Sequence, residues 1–282
     1  MQELPEIRPG QSIELLKELH ILTRDGKLNQ DSRRKLKQIN HLYQFIEPLL
    51  KKILAQRGDA EPGITLVDHG AGKSYLGFIL YDLFFRSVLN GSHIYGIESR
   101  EELVEKSIAL ATRLQFTGMS FLALTVADAI ISPRLPDQID IVTALHACNT
   151  ATDDAIHFAL KKKAAYVVLV PCCQAEVASV LNRLKGKALG QSVLTELWRH
   201  PLHTREFGSQ LTNVLRCLQL EAHGYQVSVT ELVGWEHSMK NELIIATYKN
   251  LPTQRAAQRL QQILETVGLQ DDLASRFFVP TA

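Results

Sequence analysis

The sequence lacks the features that would place it in a membrane, a secretory route or a disulfide-stapled scaffold. Its most apolar run, Tyr75 to Leu89, is interrupted by Asp82 and Arg86 and is too short to span a bilayer. Met1 to Gly10 mixes acids, prolines and one arginine without an apolar core, which is not the pattern of a signal peptide. A cytosolic protein without membrane partners is the expectation. The 282 residues hold only four cysteines, Cys148, Cys172, Cys173 and Cys217, too few for a disulfide framework. None forms a CxxC pair, so no structural zinc, and no other metal, is expected. Charge of one sign is not in excess either. Net charge is +1, so any attraction to nucleic acid must come from local patches.

What is present is ordinary for a globular protein, with 45% apolar and 22% charged residues. The length suits one large α/β domain with a modest appendage. Three regions are expected: a basic helical extension over 1–60, a main domain over 61–250 and a helical tail over 251–282. In the first, Leu36, Ile39, Leu42, Tyr43, Ile46, Leu49, Leu50 and Ile53 recur at three-to-four spacing, which paints one apolar helix face. Pro48 lacks an amide hydrogen and clashes with the preceding turn, so two helices or one bent helix are predicted. From Lys27 to Arg57 there are eight Lys or Arg against Asp31 and Glu47. The cluster Arg33-Arg34-Lys35 reads either as a solvated helix face or as a patch that contacts RNA phosphates.

Beyond the turn-forming Gly58 to Gly63, short apolar runs alternate with helical patterns. Strands are predicted at Ile64 to Asp68, Ile94 to Glu98, Phe121 to Val126, Ile139 to Leu145 and Tyr166 to Val170. Helices fall at Ser74 to Asn90, Glu101 to Phe116 and Thr152 to Leu160. Such alternation means a parallel sheet with right-handed crossovers. Leu211 to His223 reads as a helix, and Tyr225 to Val233 and Leu243 to Tyr248 as strands. Only about ten residues join these two strands, too few for a parallel crossover, so they should pair antiparallel. The expected fold class is α/β: a Rossmann-like class I methyltransferase sheet, mostly parallel with an antiparallel last strand. Gln254 to Val267 is a polar helix with a thin apolar stripe that should pack outside.

Val67-Asp68-His69-Gly70-Ala71-Gly72-Lys73-Ser74 lies between the first strand and its helix, where open α/β sheets bind ligands. Gly70 and Gly72 let the backbone turn sharply and approach a ligand closely. A P-loop would need glycine where Val67 stands, and a nicotinamide fingerprint would need it at Tyr75. A short loop with an acid at its start suits S-adenosylmethionine, whose cationic end calls for carboxylates and carbonyls. Glu98 is placed for a ribose diol and Asp128 for an adenine amino group. The candidate cofactor contacts are Asp68, Gly70, Ala71 and Gly72, then Glu98 and Ser99, then Asp128, Ala129 and Leu145.

Three segments, Val67 to Gly77, Ala144 to Asp153 and Val170 to Cys173, resemble a methyltransferase-domain family. Its relatives include glutathione S-transferase C-terminal-domain-containing proteins and ribosomal RNA adenine dimethylase domain-containing proteins. A more distant similarity runs to tRNA 2′-O-methyltransferases with a His-x-Cys-Gly-x-Ala-Thr-Asp segment, whose glycine is Asn149 here. The resemblance covers about Leu36 to Tyr248 and implies S-adenosylmethionine as cofactor.

The methyl acceptor should face the segment after the fourth strand. His146 reads as a general base or as a strand-end histidine bonded to backbone. Asp153 is a second catalytic candidate, and it or Asp154 can equally cap the helix that starts there. Cys172 and Cys173 could act as thiolate nucleophiles or be small buried residues. Asn149, Thr150 and the loop residues Trp235, Glu236, His237, Lys240 and Asn241 are candidate acceptor contacts, joined by Arg33, Arg34 and Lys35. An RNA methyltransferase is the leading expectation. A small-molecule or protein methyltransferase, and a non-catalytic cofactor- or partner-binding domain, are the alternatives.

Overall fold

The structure is a computed structural model and describes residues 6–57, 63–88, 91–145, 149–171, 175–184, 193–232 and 242–280. Seven strands form one sheet: β1 Thr65–His69, β2 His93–Glu98, β3 Met119–Ala123, β4 Ile141–Leu145, β5 Tyr166–Val170, β6 Tyr225–Glu231 and β7 Glu242–Tyr248. Their order is β3-β2-β1-β4-β5-β7-β6. The first five run parallel, and β7 pairs antiparallel with both β5 and β6. The predicted hairpin is therefore present, with its last strand inside the sheet and β6 on the edge.

The sheet is covered on both faces, which is why its central strands are nearly continuous apolar runs. Successive side chains of a strand point to opposite faces. Leu66 belongs to the apolar cluster shared with α2 (Gln30–Gln56), α3 (Tyr75–Leu83) and α4 (Glu101–Arg113). Val67 belongs to the cluster shared with α5 (Val126–Ile131), α6 (Ala151–Lys161) and α8 (Pro201–Ala222). A third cluster joins α7 (Glu176–Leu184), α8, α9 (Gln254–Thr266) and α10 (Gln270–Leu273). The polar tail helix α9 thus buries Ala256, Leu260 and Leu264 in that cluster, away from the sheet.

The N-terminal helices α1 (Ile13–Glu18) and α2 have no core of their own, because Leu15, Leu36 and Ile46 join the β1–β2 cluster. α2 is one helix through Pro48, so of the two expected outcomes the pair of separate helices does not form. Proline removes the bond to the Gln44 carbonyl, and both Pro48 and Gln44 are exposed, where water can take the missing donor's place. The buried side, with Leu42, Ile46, Leu50 and Ile53, supplies the packing that holds the helix.

Other boundaries differ from the sequence reading, and the helix expected over Ser74 to Asn90 ends at Leu83. β3 starts two residues earlier than predicted, with Gly96 opposite Phe121. A Cβ on Gly96 would stand 2.5 Å from the Phe121 ring, so that glycine makes room for the ring across β2. α8 begins at Pro201, ten residues before the predicted start, with proline in the first turn, where its missing donor costs nothing. Most of the polar stretch Arg199 to Glu206 is therefore helix. Among the described residues, no helix is long and apolar enough to cross a membrane.

Candidate functional site

β1 and β4 are neighbours, yet their following helices leave to opposite faces, α3 to one and α6 to the other. Their carboxyl ends form a switch point, where ligands of open α/β sheets bind. A cleft of about 680 Å³ opens there, within the range of ligand pockets. Its walls include His69, Gly70, Glu98, Thr125, Ala127 and Asp154. A larger hollow of about 800 Å³ lies along the β3 edge, beside Phe116, Met119 and Arg134, and has no strand-end acid.

The glycine loop has three residues in the left-handed region: Gly70 at φ 66°, Gly72 at 57° and Ser74 at 49°. Glycine takes this conformation freely, whereas serine pays a steric penalty of about 1–2 kcal/mol. Ser74 is fully buried, and its hydroxyl donates to Asp68 Oδ2 at 3.2 Å. A Cβ on Gly77 would come within 2.4 Å of that hydroxyl, so Gly77 leaves space for the bond. Asp68 also accepts from Thr143 Oγ1 at 2.9 Å. Burial pushes its carboxyl up to about 6, against the lowering effect of Thr143, Ser74 and the Gly77 amide. Asp68 is not on the cleft wall. It braces the loop from below, tying β1 to β4 and α3, because its position in β1 turns it to the α3 face.

Glu98 ends β2 and faces the cleft. Its Oε2 accepts from the Gly72 amide at 2.9 Å, and Oε1 from the Arg100 amide at 3.1 Å and Nε at 3.0 Å. Burial raises its pKa, but the Arg100 and Gly72 hydrogen bonds outweigh it and hold the carboxyl below the usual range. The group is thus ionised and aimed at the loop. Ser99 is exposed and lies on the same wall. Ala71 fixes the loop to β2 by donating its amide to the Ile97 carbonyl at 2.9 Å.

Asp128, the expected adenine contact, does not stand where the sequence reading put it. β3 ends at Ala123, so Asp128 does not end a strand but sits exposed in the first turn of α5. Thr125 Oγ1 donates to its carboxylate at 2.7 Å, a capping interaction. Ala129 is buried beneath it. Neither lines the cleft, whose wall here is Leu124 to Ala127. Leu145 ends β4 half-buried and is also not on that wall.

His69 is the residue that sequence reasoning passed over. It is 5% exposed and lines the cleft, and its ring lies 5.7 Å from that of Phe158. Both ring nitrogens lack a hydrogen-bond partner among the described residues. Burial pushes its pKa down to about 4, with Glu98 pulling weakly upward, so the imidazole is neutral at physiological pH. The available signal was its place one residue after Asp68, which puts it on the opposite, cleft-side face.

On the acceptor side, His146, Cys172, Cys173, Trp235, Glu236, His237, Lys240 and Asn241 lie outside the described residues. Asn149 has φ 55°, and its Oδ1 accepts from the Ala175 amide at 3.3 Å. It thereby links the chain after β4 to the chain after β5. Thr150 precedes α6, half-buried and without a side-chain cap bond. Asp153 is bound on both oxygens by Arg216, at 2.7 Å each, and both side chains are almost fully buried. Those bonds tie the first turn of α6 to α8. Its neighbour Asp154 faces the cleft instead, half-buried, its pKa raised by burial against the pull of Arg276.

The basic cluster on α2 is exposed. Arg33 pairs with Glu6 and Lys35 with Asp31, so part of its charge is met within the chain. Arg34 has no ion pair among the described residues.

A family described as "Methyltransferase domain" matches residues 34–180, more than half of the chain. The glutathione S-transferase C-terminal domain-containing proteins of Bos taurus and Homo sapiens are each 25% identical over 240 residues, covering 79% of this chain and 34% of their own length. The chain thus spans about a third of the curated relatives it matches. Among solved structures, the DszA carbon methyltransferase superposes with a TM-score of 0.50 at 13% identity, over 87% of this chain and 60% of that one. That likeness concerns the fold alone.

Proposed function

The chain belongs to the methyltransferase-domain family, and from that premise we propose that it transfers a methyl group from S-adenosylmethionine to RNA. The donor's place is the cleft at the ends of β1 and β2. What supports it is the ionised Glu98 carboxylate, already hydrogen-bonded to Gly72, beside a loop whose positive φ angles bring backbone close to a ligand. Glu98 would take the ribose hydroxyls and Thr125 to Ala127 would flank the adenine. His69 would meet the nucleoside from below with one donor and one acceptor nitrogen. When bound, the cofactor supplies an electrophilic methyl group on a sulfonium.

In-line transfer from such a group depends mainly on alignment. The described residues supply it through the segment Asn149 to Asp154, fixed from behind by Arg216, whose guanidinium donates to the Asn149 carbonyl at 3.1 Å and to Asp153. Asp154, on the cleft wall, can accept the proton that the acceptor sheds.

The acceptor class rests on the exposed basic face of α2. Purified protein is incubated with methyl-labelled cofactor and total RNA, and the same assay is run with Arg33, Arg34, Lys35 and Lys37 changed to Ala. RNA labelling that falls about tenfold or more in the variant, with cofactor affinity unchanged, supports the reading. Labelling of small molecules or protein alone, untouched by the substitutions, overturns it.

A further inference from the structure

The glycine loop borders a second cleft. Gly70 lines the cofactor cleft, while Lys73, three residues on, lines a hollow of about 320 Å³ between the end of α1, the start of α3 and one side of α4. Its polar lining is Glu18, His20, Lys73, Tyr75, Lys106 and Arg113, with Ser107. We propose that this hollow binds a backbone phosphate of the RNA acceptor, an inference that rests on the RNA reading above.

Three cations face one acid. That acid, Glu18, is paired with Arg113, which leaves Lys73 and Lys106 without an ion pair among the described residues. Acids on the same helix, Glu101, Glu102 and Glu105, do not line the hollow. An ordinary solvated face spreads its lysines outward over a convex surface. Here side chains from three separate segments converge on a concavity, and a compact anion is the ligand that such convergence suits. The start of α3 lies at the same place, where the Ser74 hydroxyl and the Gly77 amide both turn down to Asp68.

Tyr75, on the wall of the hollow, also neighbours the basic face of α2. Lys35 lies close enough to Tyr75 to interact with it electrostatically, so a strand of nucleic acid lying on Arg34 and Lys35 would run past Tyr75 to Lys73. Three residues of chain span at most ~11 Å, which keeps Lys73 within a nucleotide's reach of the cofactor loop. A phosphate held here would fix the register of the acceptor against the transferring methyl group. Phosphate contacts commonly play this positioning part.

The test measures binding of a fluorescent single-stranded RNA 20-mer to the whole chain at several KCl concentrations. Wild type is compared with K73A/K106A, with the charge-reversed K106E, and with K51A/K52A as a charge-matched control at the other end of α2. The inference expects at least tenfold weaker binding for K73A/K106A and K106E, and under threefold for the control. The slope of log affinity against log salt should shrink by about 0.7 for each phosphate that the variant no longer neutralises. Cofactor affinity by calorimetry should stay within twofold. If wild type binds RNA and the hollow variants match the control, the inference fails while the RNA reading stands. If the variants lose cofactor affinity as much as RNA affinity, the lysines serve the cofactor site and the inference is overturned. If wild type neither binds nor methylates RNA, the acceptor reading itself falls and takes the inference with it.

Discussion

Asp68 and His69 are adjacent in sequence and opposite in consequence. Burial raises the carboxyl of Asp68 to about 6 and lowers the imidazole of His69 to about 4. For Asp68 the folded pKa lies above the unfolded one, so its contribution is present below pH ~4 and is lost as pH rises to about 6. For His69 the folded pKa lies below the unfolded value of ~6.5, so stability is lost as pH falls from there toward 4. The two slopes oppose each other within one window. D68N should therefore melt at a temperature that, relative to wild type, rises with pH between 4 and 6. H69L relative to wild type should fall over the same range. Each arm amounts to up to about 3 kcal/mol, and calorimetric melts at half-unit pH steps read both. Flat difference curves would show that neither group changes protonation in that window. The same scale holds the test of the donor site. Hydrogen bonds to charged groups contribute about 1.5–3 kcal/mol, so E98Q should weaken S-adenosylmethionine binding roughly tenfold to a hundredfold by calorimetry.

Between elements, the pairing with the largest stake is Arg216 of α8 on Asp153 of α6. Breaking a buried pair by removing one partner typically costs about 3–5 kcal/mol, whereas replacing both with apolar residues is often neutral or better. R216M should accordingly lower stability by that amount in urea titration, and D153L/R216M should recover most of it. Methyl transfer should not recover in the double variant, because the Arg216 bond to the Asn149 carbonyl is removed as well. Equal destabilisation in both variants would show that packing, and not an unpaired charge, governs the site. This pair also marks how far the sequence could be read. The strands of the parallel sheet were legible because a strand buried on both faces is a short apolar run, and Tyr166 to Val170 was placed to the residue. Glu98 was legible as the polar end of such a run. That Asp154, and not Asp153, faces the cleft was not, since the deciding partner lies 63 residues away. The start of α8 was hidden because Arg199 to Glu206 is polar and carries no apolar periodicity. Asp128 misled because β3 was set by the fit of Phe121 over Gly96, a contact between strands.

The whole molecule depends on its last quarter. The tail contributes Ala256, Leu260, Leu264, Leu269, Leu273 and Phe277 to the cluster on α7 and α8. A chain ending at Asn250 keeps all seven strands but uncovers that cluster, and it should melt about 10 °C lower while binding more of a hydrophobic dye. The order β5-β7-β6 carries a further consequence, one for the chain as it is being made. β6 emerges first and, among the described residues, pairs only with β7, so it cannot close the sheet. Until Glu242 to Tyr248 have left the ribosome, β5 presents Tyr166 to Val170 with its outer edge unpaired. At roughly 5–20 residues per second that interval lasts several seconds, and an open apolar edge is a template for association between nascent chains. Premature termination anywhere before β7 should therefore yield insoluble protein, and newly made chains should rely on holding factors for that interval.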